Sequence, residues 1–267
     1  MPELPEVETI RLQLSRNVLG KKIKDIVVDD ARVIKGVSKT VFKSKVENKT
    51  VKNIIRRGKV LIFELADDLY LVIHLRISGW LFLSKTYEKF CRVGFVLNNG
   101  KILNFCDSRV LGEIKLIDDW TNLALIKNMG PEPLGLSKQN FVKLFDKKTA
   151  KIKPLLMDQR FLAGVGNMYA QEAVFCAGIS PQRRADKIDK KDIGRIYTCL
   201  IRILRKSIER GGSSVDTYRQ LNGEKGKYKA LLKVYQRQGK PCFRCKATIK
   251  RESIGGRGTY YCPKCQK

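Results

Sequence analysis

The chain has 267 residues, is 43% hydrophobic, and carries 54 Lys and Arg against 26 Asp and Glu, for a formal charge of +28 and a pI near 9.9. No apolar run approaches the length needed to cross a bilayer and no charged-then-apolar leader opens the chain, so the protein is expected to be intracellular. The length allows a well-buried core and more than one compact unit, and the charge favours a polyanionic partner, nucleic acid before a membrane surface.

The chain opens MPELPE. A small residue at position 2 permits removal of Met1, which would leave Pro2 as a secondary amine with Glu3 and Glu6 close by. Residues 5–19 read as a helix: Pro5 suits a first helical position, Glu6 and Glu8 suit the positive end of the dipole, and Gly20 is the stop. Val7, Ile10, Leu14 and Val18 form its apolar stripe. From about residue 23 to 118 the pattern becomes short apolar or alternating runs, with Asn99-Gly100 as a hairpin signal, and this predicts an antiparallel sandwich or barrel. The run 128–136, rich in Pro and Gly, reads as a linker. Helices follow: one capped by Ser137 and running to Phe145, one over 167–177, and one over 189–210 with Ile193, Ile196, Leu200, Leu204 and Ile208 on one face and Gly211-Gly212 behind it. The polar, basic stretch 213–230 reads as a functional loop.

Cys91, Cys106, Cys176 and Cys199 lie singly in apolar stretches and are expected to be buried thiols, which suits a reducing compartment. Cys242, Cys245, Cys262 and Cys265 form two CxxC pairs, the pattern of a four-thiolate zinc site; two disulfides are the alternative. With all four positions filled by the protein, such a zinc is structural. Gly164 and Gly166 precede the helix at Asn167, where backbone N–H groups can meet an anion; a tight turn between packed helices explains them equally well. Lys148 and Lys153 add charge nearby. His74 is the only histidine and follows an apolar strand, so it is read as a satisfied structural residue, and acid–base work falls to Glu, Lys or the amino terminus.

The segments MPELPEVET, RRGK, HLRISG, IKPLLMDQRFLAGVGNMYAQEAVFCAGISP and CxxC…YYCPKCQK occur in one order along essentially the whole chain. In this the sequence resembles the formamidopyrimidine-DNA glycosylases. Leu4 fits that branch better than the related endonuclease VIII, which typically has Gly there. The resemblance implies a multidomain α+β protein: an N-terminal antiparallel β-sandwich with a leading helix (1–127), the linker 128–136, a helix–two-turn–helix domain with a lesion-capping loop at 213–230 (137–234), and a zinc β-hairpin finger (235–267). DNA would bind in the cleft between domains.

The resemblance also implies roles. Pro2 would attack C1′ of a damaged nucleotide and form a Schiff base, and β- and δ-elimination would follow. Glu3 would transfer protons, with Glu6 capping the helix; Lys59 would assist the first elimination and Arg257 the second. Lys153 and Asn167 would clamp phosphate, with Lys148 and Arg109 as further DNA contacts. Ile77, Arg109 and Leu111 would fill the gap left by the extruded nucleotide, where the usual set is Met, Arg, Phe. Val110 departs from the family's Arg, and Phe90 stands where many relatives have His. Tyr218, Lys227 and Tyr228 are candidate lesion contacts. The expected protein is a monomeric repair enzyme with one structural Zn2+, excising 8-oxoguanine and formamidopyrimidines from double-stranded DNA and cleaving abasic sites. Its rivals are an oxidised-pyrimidine glycosylase of the endonuclease VIII type and a non-catalytic nucleic-acid-binding zinc protein.

Overall fold

The structure, a computed structural model, describes every residue of the chain except Lys89 and Asp216. It divides into two compact units, one of Met1–Lys127 with Ser207–Lys229, the other of Asn128–Lys206 with Ala230–Lys267.

In the first unit, helix α1 (Leu4–Asn17) is followed by strands β1 (Ile23–Val28) and β2 (Ile34–Lys35), helix α2 (Lys39–Val46), strands β3 (Val51–Arg57), β4 (Val60–Leu65), β5 (Tyr70–His74), β6 (Gly79–Ser84), β7 (Cys91–Leu97), β8 (Ile102–Asp107) and β9 (Glu113–Ile117), and a short helix α3 (Ala124–Lys127). They form a four-stranded sheet of order β1-β7-β8-β6 and a five-stranded sheet of order β2-β9-β5-β4-β3. All pairs are antiparallel except β2 with β9. Inward residues of both sheets, among them Ile26, Leu61, Phe63, Ile73, Val93, Phe95 and Phe105, share one core with Val7, Ile10 and Leu14 of α1. The apolar stripe read from the sequence is thus the face that α1 buries. Gly100, at φ 76°, makes the expected β7–β8 hairpin. The single stretch NIIRRGKVLIFEL is two strands, because Gly58 turns the chain at φ 57°. Helix α2 was hidden among strand-like residues; Ser38 starts it by accepting a hydrogen bond from the Val41 N–H at 3.3 Å.

The second unit holds helices α4 (Lys138–Lys143), α5 (Ile152–Met157), α6 (Asn167–Ala177) and most of α7 (Lys190–Glu209), and the hairpin β10–β11 (Lys250–Ile254, Arg257–Tyr261). Ser137 caps α4, its hydroxyl accepting from Asn140 N–H at 3.1 Å. Helix α5 was missed in the sequence because Pro154 sits inside it. Pro154 lies in the first turn, where its absent N–H is not needed. Glu172, on α6, accepts hydrogen bonds from the N–H groups of Lys233, Val234 and Tyr235 at 2.9 Å, tying the segment that leads into the finger to the helix. Burial pushes the Glu172 carboxyl above its usual range, with those three donors pulling the other way.

The four isolated cysteines are not free thiols. Cys91 pairs with Cys106 and Cys176 with Cys199 as disulfides. Cys91 and Cys106 are direct cross-strand partners in the β7–β8 register, and Cys176 and Cys199 lie on α6 and α7 with Cα atoms 5.9 Å apart. Only the fold could reveal these neighbours, and their pairing removes them as support for a reducing compartment. Among the described residues, no helix is long and apolar enough to cross a membrane.

Candidate active site

Pro2 and Glu3 are buried ahead of α1. Glu6, one turn into the helix, uses both carboxylate oxygens: Oε2 accepts from the Glu3 N–H at 2.9 Å and Oε1 from the Ser213 N–H at 2.8 Å. It therefore fixes the start of the chain from one side and the 213–229 segment from the other, the steadying part expected of it. Met1 precedes Pro2 in the structure, so the Pro2 nitrogen is an amide until Met1 is removed.

Lys59 reaches the same place from the β3–β4 turn, through a relay of contacts. Glu8 of α1 accepts from Arg56 Nε at 2.7 Å, and Arg56 donates to the Gly58 carbonyl at 3.0 Å. Burial works to raise the Glu8 carboxyl, but Arg11 and Arg56 overcome it and leave Glu8 below its usual range. Lys59 itself is only 8% exposed. Burial pushes its ammonium below the ordinary value, and the nearby Glu3 and Glu6 carboxylates oppose this in part. A lysine so placed holds a larger neutral fraction and can accept a proton. His74, by contrast, is pushed down to about 4 by burial, with Arg76 adding to it. It was expected to be a satisfied structural residue, yet its buried Nδ1 has no hydrogen-bond partner among the described residues, so it is not satisfied.

In the second unit, two expected phosphate ligands grip the turn of the finger hairpin. Lys153, fully buried, donates to the Ile254 carbonyl at 3.4 Å. Asn167 donates to the Gly258 carbonyl at 3.2 Å, and Gln171 supports it with bonds to Gly258 and to the Tyr260 N–H. Arg257, exposed, lies between those two anchor carbonyls in sequence. Lys153, Asn167, the N-terminus of α6 and Arg257 thus belong to one neighbourhood, while Lys148 is exposed just after α4. Gln171 was not found from the sequence, because nothing local distinguishes it from an ordinary helical glutamine.

The Sγ atoms of Cys242, Cys245, Cys262 and Cys265 lie within 4.8 Å of one another. Cys242 and Cys265 are 3.9 Å apart, and Cys245 and Cys262 3.4 Å. Tetrahedral thiolates around zinc sit about 3.8 Å apart, so the set fits one Zn2+. The N–H groups of Arg244 and Cys265 point to Cys242 and Cys262 sulfurs at 3.4 Å, as donors that support bound thiolate.

Three family models match the chain: the formamidopyrimidine-DNA glycosylase N-terminal domain over residues 1–114, its H2TH domain over 129–219, and the zinc finger found in FPG and IleRS over 239–267. The chain belongs to the formamidopyrimidine-DNA glycosylase family. The formamidopyrimidine-DNA glycosylase of Pelotomaculum thermopropionicum is 40% identical over 100% of this chain and 99% of its own. The Lactococcus lactis Fpg in complex with an abasic-site-containing DNA is 36% identical, covers 99% of each chain and superposes with a TM-score of 0.91. The Thermus thermophilus MutM (Fpg) protein is 35% identical with a TM-score of 0.89, over 99% of this chain and 98% of its own.

The three positions expected to fill the gap are all at the surface of the first unit: Ile77 is 45% exposed, Leu111 43%, and Arg109 is exposed as well. A residue the sequence reading did not single out organises them. Asp107, buried at the end of β8, accepts from the Ser78 hydroxyl at 2.5 Å and from the N–H groups of Arg109, Leu111 and Gly112 at 3.1, 2.8 and 2.6 Å. One carboxylate thus joins the Ile77 turn to the Arg109–Leu111 turn. Burial works to raise it, but these donors hold Asp107 below its usual range. Arg76 and Val110, each beside a gap-filling residue, have φ of 51° and 54°, a left-handed conformation costly for β-branched Val. Gly79 closes the Ile77 turn, where a Cβ would lie 2.4 Å from the Leu75 carbonyl oxygen. Asp107→Ala strands three backbone donors, and we expect a loss on the order of 3 kcal/mol in denaturant unfolding, with Asp107→Asn losing less. An unchanged midpoint for Asp107→Ala would mean that the two turns hold themselves.

The three expected lesion contacts divide. Lys227 is exposed, but Tyr218 and Tyr228 are buried. Tyr218 donates its hydroxyl to the Gly211 carbonyl at 3.0 Å and joins the sandwich core; burial, with Glu6 nearby, raises its pKa. In this conformation both rings are buried rather than open to a ligand. Phe90 is 77% exposed.

Proposed function

We propose that this protein is a base-excision repair enzyme that removes oxidised purines, 8-oxoguanine and formamidopyrimidines, from double-stranded DNA and cleaves the resulting abasic site. The observation that carries this is the buried meeting of Pro2, Glu3, Glu6 and Lys59, in a chain of family-wide likeness and +28 charge. With Met1 gone, the Pro2 nitrogen attacks C1′, and the glycosidic bond breaks toward the base, which leaves with a proton from Glu3. Glu3, now a carboxylate, takes the proton from the Pro2 nitrogen and delivers it to O4′ as the C1′–O4′ bond breaks, and the ring-opened sugar is then a cationic iminium. It acidifies the C2′ proton, which the Lys59 amine takes; the electron pair expels the 3′ phosphate, and a second elimination expels the 5′ phosphate. Arg257 steadies the departing phosphate, and Lys153, Asn167 and Lys148 hold the DNA backbone, contacts that give affinity rather than base identity. Zinc holds the β10–β11 hairpin and takes part in no step. Working on DNA, the protein would act inside the cell.

The test is excision from duplexes carrying 8-oxoguanine opposite cytosine or thymine glycol. We expect a clear preference for the first; the reverse would make the protein an oxidised-pyrimidine glycosylase, and neither product would leave a binding protein. Binding should weaken with salt at a slope of about −0.9 per neutralised phosphate. Removing zinc with a chelator should release the hairpin from Lys153 and Asn167 and lower DNA affinity at least tenfold, as read by fluorescence anisotropy. Unchanged affinity would refute the placement of Arg257 in the DNA grip.

A further inference from the structure

Helix α1 holds the 213–229 segment at a second point, two turns beyond Glu6. Gln13 Oε1 accepts from the Leu221 N–H at 2.8 Å, and Gln13 Nε2 donates to Gln220 Oε1 at 2.7 Å. Positions 6 and 13 are seven apart and so share one face of the helix. Leu221 is pinned from three sides. Its side chain is buried in the sandwich core, its carbonyl accepts from the Leu83 N–H of β6 at 2.9 Å, and its N–H is the one Gln13 takes. Next to it, a tight turn closes with Gly223 N–H to Gln220 and Gln220 N–H to Glu224, both at 2.9 Å. The helix that follows Pro2 and Glu3 is therefore also the post to which this segment is tied at both ends of its inward-facing part.

We propose that Gln13 is a positioning residue for base recognition. Its amide fixes Gln220 and Leu221 on the helix that follows the nucleophile, so the segment expected to cap the lesion is shaped before a lesion enters. This rests on the reading of the protein as a glycosylase. Removal of an intact base then depends on Gln13, whereas cleavage of a sugar that has already lost its base does not.

The test compares wild type, Gln13→Ala and Gln13→Glu. Each is measured for single-turnover excision of 8-oxoguanine, for cleavage of a preformed abasic site, and for hydrogen exchange at the Leu221 amide. Gln13→Ala should lower excision about tenfold, leave abasic-site cleavage within about twofold, and speed Leu221 exchange at least tenfold. Gln13→Glu keeps the acceptor for Leu221 and should recover most of both losses. Equal loss on the two substrates, no loss on either, or Gln13→Glu behaving as Gln13→Ala would overturn the proposal. Wild type that cleaves abasic DNA without excising any base would instead refute the glycosylase reading, with the exchange arm still reporting whether Gln13 holds the loop.

Discussion

Glu3→Gln should lower excision of an oxidised purine by about 10²–10⁴-fold, the usual contribution of a positioned general acid. The loss on a preformed abasic site should be smaller, because there no base has to leave with a proton. Glu3 is chosen over its neighbour because it directly follows Pro2; its carboxylate also accepts from the Glu6 N–H as half of a capping box. Both oxygens of Glu6 are occupied by backbone donors, from Glu3 and Ser213, and moving a proton onto either would break the contact that holds the site together. Glu6→Gln should therefore weaken both reactions, since its amide nitrogen would face an N–H donor. Single-turnover rates on the two substrates separate the cases. Equal losses for Glu3→Gln on both would remove it as the acid of base departure.

Lys59→Met should abolish most strand cleavage while making the protein more stable at pH 7. Burial lowers the Lys59 pKa from the ordinary 10.5, so the folded state disfavours the ammonium. Between the folded value and 10.5, the unfolded chain binds a proton that the folded chain does not, and stability rises with pH across that window. Below it, the penalty is present in full. Methionine, of similar length and without charge, removes it, and the melting temperature should rise by about 2–4 °C for each kcal/mol relieved. The gain should shrink as the pH is raised toward 10.5, where the unfolded lysine is also neutral. A melting temperature that falls at pH 7 would mean that Lys59 is held by Glu3 and Glu6 as a net stabilising ion pair. The site would then be an electrostatic clamp rather than a poised base.

The parts of this site that were legible in the sequence are those written in local spacing. Two CxxC pairs predict four converging thiols because each knuckle needs only its own short turn, and their sulfurs do converge. The stripe Val7, Ile10, Leu14 predicts which face of α1 is buried, because a helix repeats every 3.6 residues whatever surrounds it. What could not be read depends on partners far away in the chain. Asp107 meets Ser78 across 29 residues and Gln13 meets Leu221 across 208, and in the sequence each is an unremarked polar residue. Cys91 and Cys106 pair only because the β7–β8 register sets them opposite each other. Tyr218 and Tyr228 lie in a polar, basic run that read as a functional loop. Composition cannot say which way a ring turns, and here the core takes both.

The account rests on a covalent bond between the Pro2 nitrogen and C1′ of the damaged nucleotide. Borohydride reduction of the Met1-processed protein on lesion-bearing duplex, followed by digestion and mass spectrometry, locates that bond directly. The prediction is a stable protein–DNA adduct confined to the amino-terminal peptide, lost in Pro2→Gly and in protein that retains a residue ahead of Pro2. An adduct on Lys59 or on any other side chain, or full trapping by protein with Met1 still attached, would contradict it.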